Sequence, residues 1–171
     1  MERFIKSIES SIESENWLAA LFMALAMPDI CRSVERPKIG KGETGKWYKD
    51  WVSRYLENKY TSGTHEQCRF YADDFWLYRC SCLHAGQDPE NRKRMMQFNF
   101  TPPPRPNCQV HLNHLNGKLQ LQIDVFCRDM IEAVNQWRTE VENTPEIKAR
   151  MDSLINISLA SLEHSLYLVK Y

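Results

Sequence analysis

The chain is 171 residues long, 43% hydrophobic and 26% charged, with 22 basic residues against 22 acidic ones. That length carries one domain with a proper core, and the composition is that of an ordinary globular protein rather than a disordered or fibrous one. A formal charge of zero argues against a general nucleic-acid coat protein and leaves room only for a local basic patch.

Phe4, Ile5, Ile8 and Ile12 recur at helical spacing and predict a first helix. Ser14 is placed to cap a second, from residue 17 to about 31, which Pro28 should kink or end early. Its apolar run, residues 17–27, is too short to span a bilayer, and Met1-Glu2-Arg3 opens an amphipathic pattern rather than a secretory signal. Residues 36–45 read as a Gly- and Lys-rich loop. Trp47, Tyr48, Trp51, Val52 and Tyr55 mark a third helix, and Thr61-Ser62-Gly63-Thr64 a break after it. A fourth helix is expected over about residues 65–84. One of its stripes is Tyr71, Phe75, Tyr78 and Cys82, and the next is Cys68, Ala72, Trp76, Arg79 and Leu83. A helix apolar on most sides packs on several neighbours, and Gly86 is its natural stop.

The period then changes. Residues 87–105 are polar and proline-rich, with Pro102, Pro103 and Pro104 as a stiff connector. Val110, Leu112, Leu119, Leu121 and Ile123 alternate across Asn116-Gly117, the strongest short-range hairpin signal. Asp124 is placed to cap a helix with the stripe Phe126, Met130, Val134, Trp137 and Val141. Thr144-Pro145 opens the last helix, whose stripe includes Met151, Ile155, Leu159, Leu162 and Leu166. The expected fold is a single all-α helical bundle over residues 1–171, with a two-stranded β-hairpin inserted at about 108–123.

Several motifs invite chemistry and lose it in context. Gly40 to Lys46 fits part of a phosphate-binding loop, but Trp47 stands where Ser or Thr should hold magnesium, and no strand precedes it. Tyr71-Ala72-Asp73-Asp74 matches the metal-binding turn of reverse transcriptases but falls in a helical pattern. Cys108, His111 and His114 offer zinc-type donors, yet residues three apart on a strand point to opposite faces. The six cysteines carry no export signal with them, which points to reduced thiols in the cytoplasm. Arg36, Lys38, Lys41, Lys46 and Lys49, with Arg92, Lys93 and Arg94, make two basic clusters that read first as solvated loop surface and second as phosphate-backbone contacts.

Arg79 and His84 remain. Arginine and histidine are expensive to bury without a partner or a purpose. Along an ideal helix they are about 140° apart around the axis and roughly 7.5 Å apart along it, so they should not meet easily unless the helix ends at His84 or a second subunit supplies the other half. The bland alternative pairs Arg79 with a carboxylate such as Asp74 and leaves His84 as a polar helix end.

The phrase Leu77-Tyr78-Arg79-Cys80-Ser81-Cys82-Leu83-His84-Ala85-Gly86 resembles the R-x4-6-H signature of the HEPN superfamily, which lies late in a helix of an all-α bundle. The resemblance is specific over about ten residues and extends over the rest of the chain only as a pattern. It implies a homodimer with the two motifs at its interface, acting as a metal-independent, cofactor-free endoribonuclease of a bacterial toxin or antiviral defence system, with RNA as substrate and an antitoxin or other regulatory protein as a further partner. It makes His84 the proton carrier and Arg79 the phosphate contact, with Asp74, Ser81 and Cys80 in support. The family often has a polar residue such as Asn after the arginine, where this chain has Cys80, a weak hydrogen-bond partner. Some members are non-catalytic, so a helical interaction module that docks a protein or RNA through Trp47, Trp51 and Tyr55 is the alternative. A small zinc protein using Cys108 and His111 is a third.

Overall fold

The helical spacing of the apolar residues translates directly into burial. In the computed structural model, which describes residues 1–38, 40, 42–86, 97–104 and 108–157, helix α1 (Glu2–Glu13) buries Phe4, Ile5, Ile8 and Ile12. Helix α2 (Trp17–Glu35) is the central element: it packs against α1, α3 (Thr44–Tyr55), α5 (Ala72–Ala85), α6 (Ile123–Val141) and α7 (Pro145–Asp152). A short helix α4 (Glu57–Thr61) follows α3 after Leu56. Helix α6 buries Phe126, Met130, Val134 and Trp137, the expected stripe, with Val141 partly buried. By length and composition α2 is apolar enough to cross a membrane, although its uninterrupted apolar run looked too short; 44% of that stretch is buried inside the fold, where Ala20, Leu21, Ala24, Leu25 and Met27 form the core.

The described residues are mostly helical, as expected, and the sheet is larger than a hairpin. Strands β2 (Asn113–Leu115) and β3 (Lys118–Gln122) are antiparallel, joined by Asn116 and Gly117 at φ 51° and 78°. Both residues of such a two-residue turn need positive φ, which asparagine tolerates and glycine adopts freely. A third strand, β1 (Gln97–Thr101), pairs parallel to β3 on its other side, giving the order β1-β3-β2. It lies in the segment expected to be a polar connector. Val110 and Leu112 stand outside the hairpin strands, and Leu112 sits at φ 56°.

Aromatic rings join this sheet to the helices. Phe98 and Phe100 face Tyr78 at 5.3 and 4.9 Å between centroids, Phe100 meets Phe126 edge-on at 4.9 Å, and Phe75 stacks on Phe126 at 5.5 Å. Such pairs each add about 0.5–1.5 kcal/mol beyond the area they bury.

Several boundaries move for local reasons. Asn16, not Ser14, caps α2, its Oδ1 accepting from the Ala19 N–H; Ser14 ends α1. Helix α2 runs through Pro28 to Glu35, with the proline ring buried in the core. The expected helix over 65–84 divides into a single 3-10 turn (Glu66–Cys68), extended backbone at Arg69 and Tyr71, and α5. The division is held by the Phe70 N–H, which bonds the Tyr60 carbonyl, and by a capping box in which Asp74 accepts from the Tyr71 N–H at 2.8 Å. Gln122, rather than Asp124, precedes α6, and Asp124 lies in its first turn. Helix α7 stops at Asp152 with Ile155 exposed; Leu159, Leu162 and Leu166 lie outside the described residues.

Candidate functional site

Helix α5 has nearly equal apolarity around its axis, packs against both α2 and α3, and ends exposed at His84. Phe75, Tyr78 and Cys82 point inward. Trp76 lies over α3, where Gly45 makes room for it: a Cβ on Gly45 would sit 2.9 Å from the Trp76 ring. Tyr48 packs tilted against that indole at 5.4 Å between centroids, its hydroxyl donating to the Leu25 carbonyl. The Arg79 guanidinium lies 5.3 Å over the Trp76 ring.

From there Arg79 reaches both ways. Its Nε and Nη2 donate to Oδ2 of Asp29 on α2, each at 2.7 Å, and its Nη1 lies 2.6 Å from Nε2 of His84. The side chains of Arg79 and Asp29 are 16% and 17% exposed, while His84 is at the surface. Arg79 and His84 therefore meet within one helix and one chain, against the expectation from ideal helix angles. His84 is in the last turn before Gly86 at φ 62°, and side chains on a helix lean toward its N-terminus, which brings the imidazole back over Arg79.

A guanidinium carries donors only, so in this contact Arg79 donates and the lone pair of His84 Nε2 accepts. The site thus joins a permanent cation, an imidazole with its Nε2 lone pair aimed at that cation, and a carboxylate that orients the cation. Asp29 keeps a buried oxygen, Oδ1, with no hydrogen-bond partner. Burial raises the Cys80 thiol above its ordinary range, partly offset by its contact with Arg79, so Cys80 sits beside the arginine as a neutral thiol. Burial likewise holds the Tyr48 phenol well above its usual value, with the Asp29 charge adding to the effect.

The other expected site residues divide. Asp74 does not orient Arg79: its carboxylate closes the N-terminal capping box of α5, about 15 Å along the axis from His84. The same box accounts for the Tyr71-to-Asp74 motif. Ser81 is half-buried, and its carbonyl accepts from the Gly86 N–H at the helix stop. Lys38 and Lys46 are exposed, whereas Lys41, Arg92, Lys93 and Arg94 lie outside the described residues. Cys108 is exposed, and His111 is turned inward, its Nδ1 accepting from the Gln122 N–H while its ring packs edge-on against Tyr60. Among the described residues no three His, Cys, Asp or Glu side chains gather as metal ligands. None of the six cysteines forms a disulfide.

Asp29 is the residue sequence reasoning missed. Its signal was an acid immediately after Pro28, directly behind the long apolar run of residues 17–27. Such a group needs a cation, and the arginine stranded on the apolar fourth helix was the cation that needed an acid. Comparison with known proteins adds no neighbour: no family model matches the chain, and neither a curated protein nor a solved structure does.

Proposed function

We propose that this chain is a metal-independent endoribonuclease of the toxin or phage-defence type, resembling the HEPN superfamily and working as a homodimer. One observation carries the reading: the 2.6 Å contact between Arg79 and His84, tethered by Asp29 at an exposed helix end.

The chemistry follows from those three side chains. A scissile phosphate arriving at the helix end competes for the Arg79 Nη1 now facing His84, because a guanidinium binds a charged oxygen more strongly than a neutral nitrogen. That exchange leaves the Nε2 lone pair free to take the proton of the neighbouring 2′-hydroxyl. The 2′-oxygen attacks phosphorus, the bond to the 5′-oxygen breaks, and the proton ends on that leaving oxygen. The products are a 2′,3′-cyclic phosphate and a 5′-hydroxyl. Arg79 stabilises the charge that grows on the phosphoryl oxygens. Asp29 is a positioning residue: it holds the guanidinium through two other nitrogens and so leaves Nη1 for the substrate. Lys38 and Lys46 supply exposed charge for the RNA backbone.

The homodimer rests on a row along α2. Leu18 and Phe22 are 68% and 37% exposed, Ala26 follows at the same spacing, and Asp29 completes the row eleven residues from Leu18, on the same helical face. A second copy covering this row would bring two Arg79–His84 pairs to one seam. The alternative, a non-catalytic interaction module, draws on the same row and on the fact that Asp29 already occupies two of the arginine's nitrogens.

The full chain should cut single-stranded RNA in EDTA, leave 2′,3′-cyclic ends and spare DNA of the same sequence. His84→Ala should abolish cleavage while the thermal transition is retained. Equal cleavage by the variant ends the catalytic reading; stable self-association with no cleavage of any RNA favours the module.

A further inference from the structure

A second cleft, of about 130 Å³, opens where the C-terminal end of α2 meets α3. Arg32, Glu35, Arg36, Trp47, Trp51 and Arg54 are among its walls. Its volume is close to that of the roughly 150 Å³ cavity known to hold benzene, a molecule of six heavy atoms. The walls are unusual in what they leave unpaired. Nε and Nη1 of Arg32 are buried and have no hydrogen-bond partner, and Arg32 makes no ion pair among the described residues. The indole N–H of Trp51 is also buried without an acceptor, in a residue only 5% exposed. Arg32 and Trp51 both line this cleft, and these three buried donors have no hydrogen-bond partner within the fold.

The surrounding groups say what is missing. The Glu35 carboxylate is engaged by the Trp137 N–H at 3.1 Å, and Arg54 is paired to Glu140 at 2.6 Å. Arg36 lies 4.2 Å over the Trp47 ring, so the mouth of the cleft is walled by a guanidinium stacked on an indole. Asp50 is the other acid in the lining, and it is exposed. A buried guanidinium N–H without an acceptor is costly, and the cost is removed by an oxyanion that accepts from it. Three guanidinium groups and two carboxylates line the cleft, and its orphaned donors call for a ligand made of acceptors.

We infer that the cleft bounded by Arg32, Arg36, Trp47 and Trp51 binds a small oxyanion, a phosphate or carboxylate group whose oxygens accept from Arg32 and from the Trp51 indole. The site is separate from Arg79 and His84 and does not rest on the ribonuclease reading. Its size admits the anionic group and leaves any larger substituent outside the open mouth.

Inorganic phosphate is the first probe, titrated into the full chain in an oxyanion-free buffer at constant ionic strength, with the thermal transition and tryptophan fluorescence as readouts. Acetate forms a second arm and adenosine monophosphate a third. Phosphate or acetate should raise the wild-type transition in a saturable way. Arg32→Gln should weaken that response at least about tenfold, and Trp51→Phe, which keeps a ring and removes one donor, about three- to tenfold. His84→Ala should bind as wild type does, even if it has lost cleavage. Saturation by acetate as well as phosphate identifies any small oxyanion; saturation by phosphate alone identifies the phosphoryl group. The inference is overturned if no probe shifts the wild type, or if Arg32→Gln and Trp51→Phe both respond as the wild type does.

Discussion

Removing the charge of Asp29 tests whether the site is assembled as described. In Asp29→Asn the side chain keeps its shape, but Arg79 loses its counter-ion. Exposed ion pairs are worth about 0.2–1 kcal/mol, and breaking a fully buried pair costs about 3–5 kcal/mol. Asp29 and Arg79 are each about five-sixths buried and share two contacts of 2.7 Å, which places the cost between those limits, at about 2 kcal/mol. A chain of 171 residues has an unfolding entropy near 0.36 kcal/mol per degree, so that loss lowers Tm by about 6 °C. Asp29→Asn, Arg79→Met and the double variant form a cycle, read by urea denaturation, whose coupling energy should be about 2 kcal/mol. It should survive high salt, because partly buried charges are screened little. The pair Lys49–Asp73, with side chains 37% and 84% exposed at 2.9 Å, is the internal control and should show less than about 0.5 kcal/mol. A coupling for Asp29–Arg79 no larger than the control would mean that the guanidinium is not held by α2, and the orientation argument for the site would fail with it.

Other consequences are equally measurable. Gly45→Ala should destabilise by about 1 kcal/mol despite the gain of about 0.8–1 kcal/mol that alanine brings to an open helix, because the new methyl displaces Trp76; a raised urea midpoint would show that the ring yields freely. Burial lowers the pKa of His111 below its ordinary value, against the pull of Asp129 and Asp124. The folded state then binds fewer protons than the unfolded chain, so stability from this group is present above about pH 6.5 and is lost as pH falls from there toward the depressed folded value. His111→Gln should flatten that part of the curve in paired urea titrations, and an unchanged slope would contradict the burial. Leu18→Glu with Phe22→Glu should convert a homodimer to monomer by sedimentation while leaving the melting temperature within a degree or so; a wild type that is monomeric at all concentrations refutes that interface. Among the thiols, exposed Cys108 should alkylate first in the native protein, while buried Cys31, Cys82 and Cys127 should react only on unfolding. Burial pushes the Cys127 thiol up to about 12 and holds that of Cys31 well above its ordinary value, so fast native labelling of either, seen by mass spectrometry, would be inconsistent with the core.

The helices were legible because their burial follows period: Phe4 to Ile12 and Phe126 to Trp137 each read as one face and are one face. The hairpin was legible because Asn116-Gly117 can make its turn without strain. Strand β1 was not, although Phe98 and Phe100 alternate with Gln97, Asn99 and Thr101. Three aromatic or polar alternations beside a run of prolines carry little weight alone, and the strand exists because β3 offers an edge that only the folded chain provides. The break at residues 69–71 was hidden for the same reason, since its backbone is satisfied by Tyr60 on a different helix. In the site, Arg79 and His84 could be picked out, but their contact could not: it depends on side-chain lean at a helix end rather than on angular spacing. Asp29 was invisible as a partner because fifty residues separate it from Arg79, and only the packing of α2 on α5 brings them together.

The two ends of the described chain are tied to each other. Arg3 donates to the carbonyls of Leu154 and Ile155, Glu2 pairs with Arg138, and Arg150 reaches the carbonyls of Val34 and Glu35. During synthesis the first helix finds α2 early, but it meets α6 only after residue 123 has emerged, and its polar ties to residues 154 and 155 form last. Chaperone demand and degradation of stalled nascent chains should be governed by this interval, since a truncated product lacks the closing contacts that make the bundle worth forming.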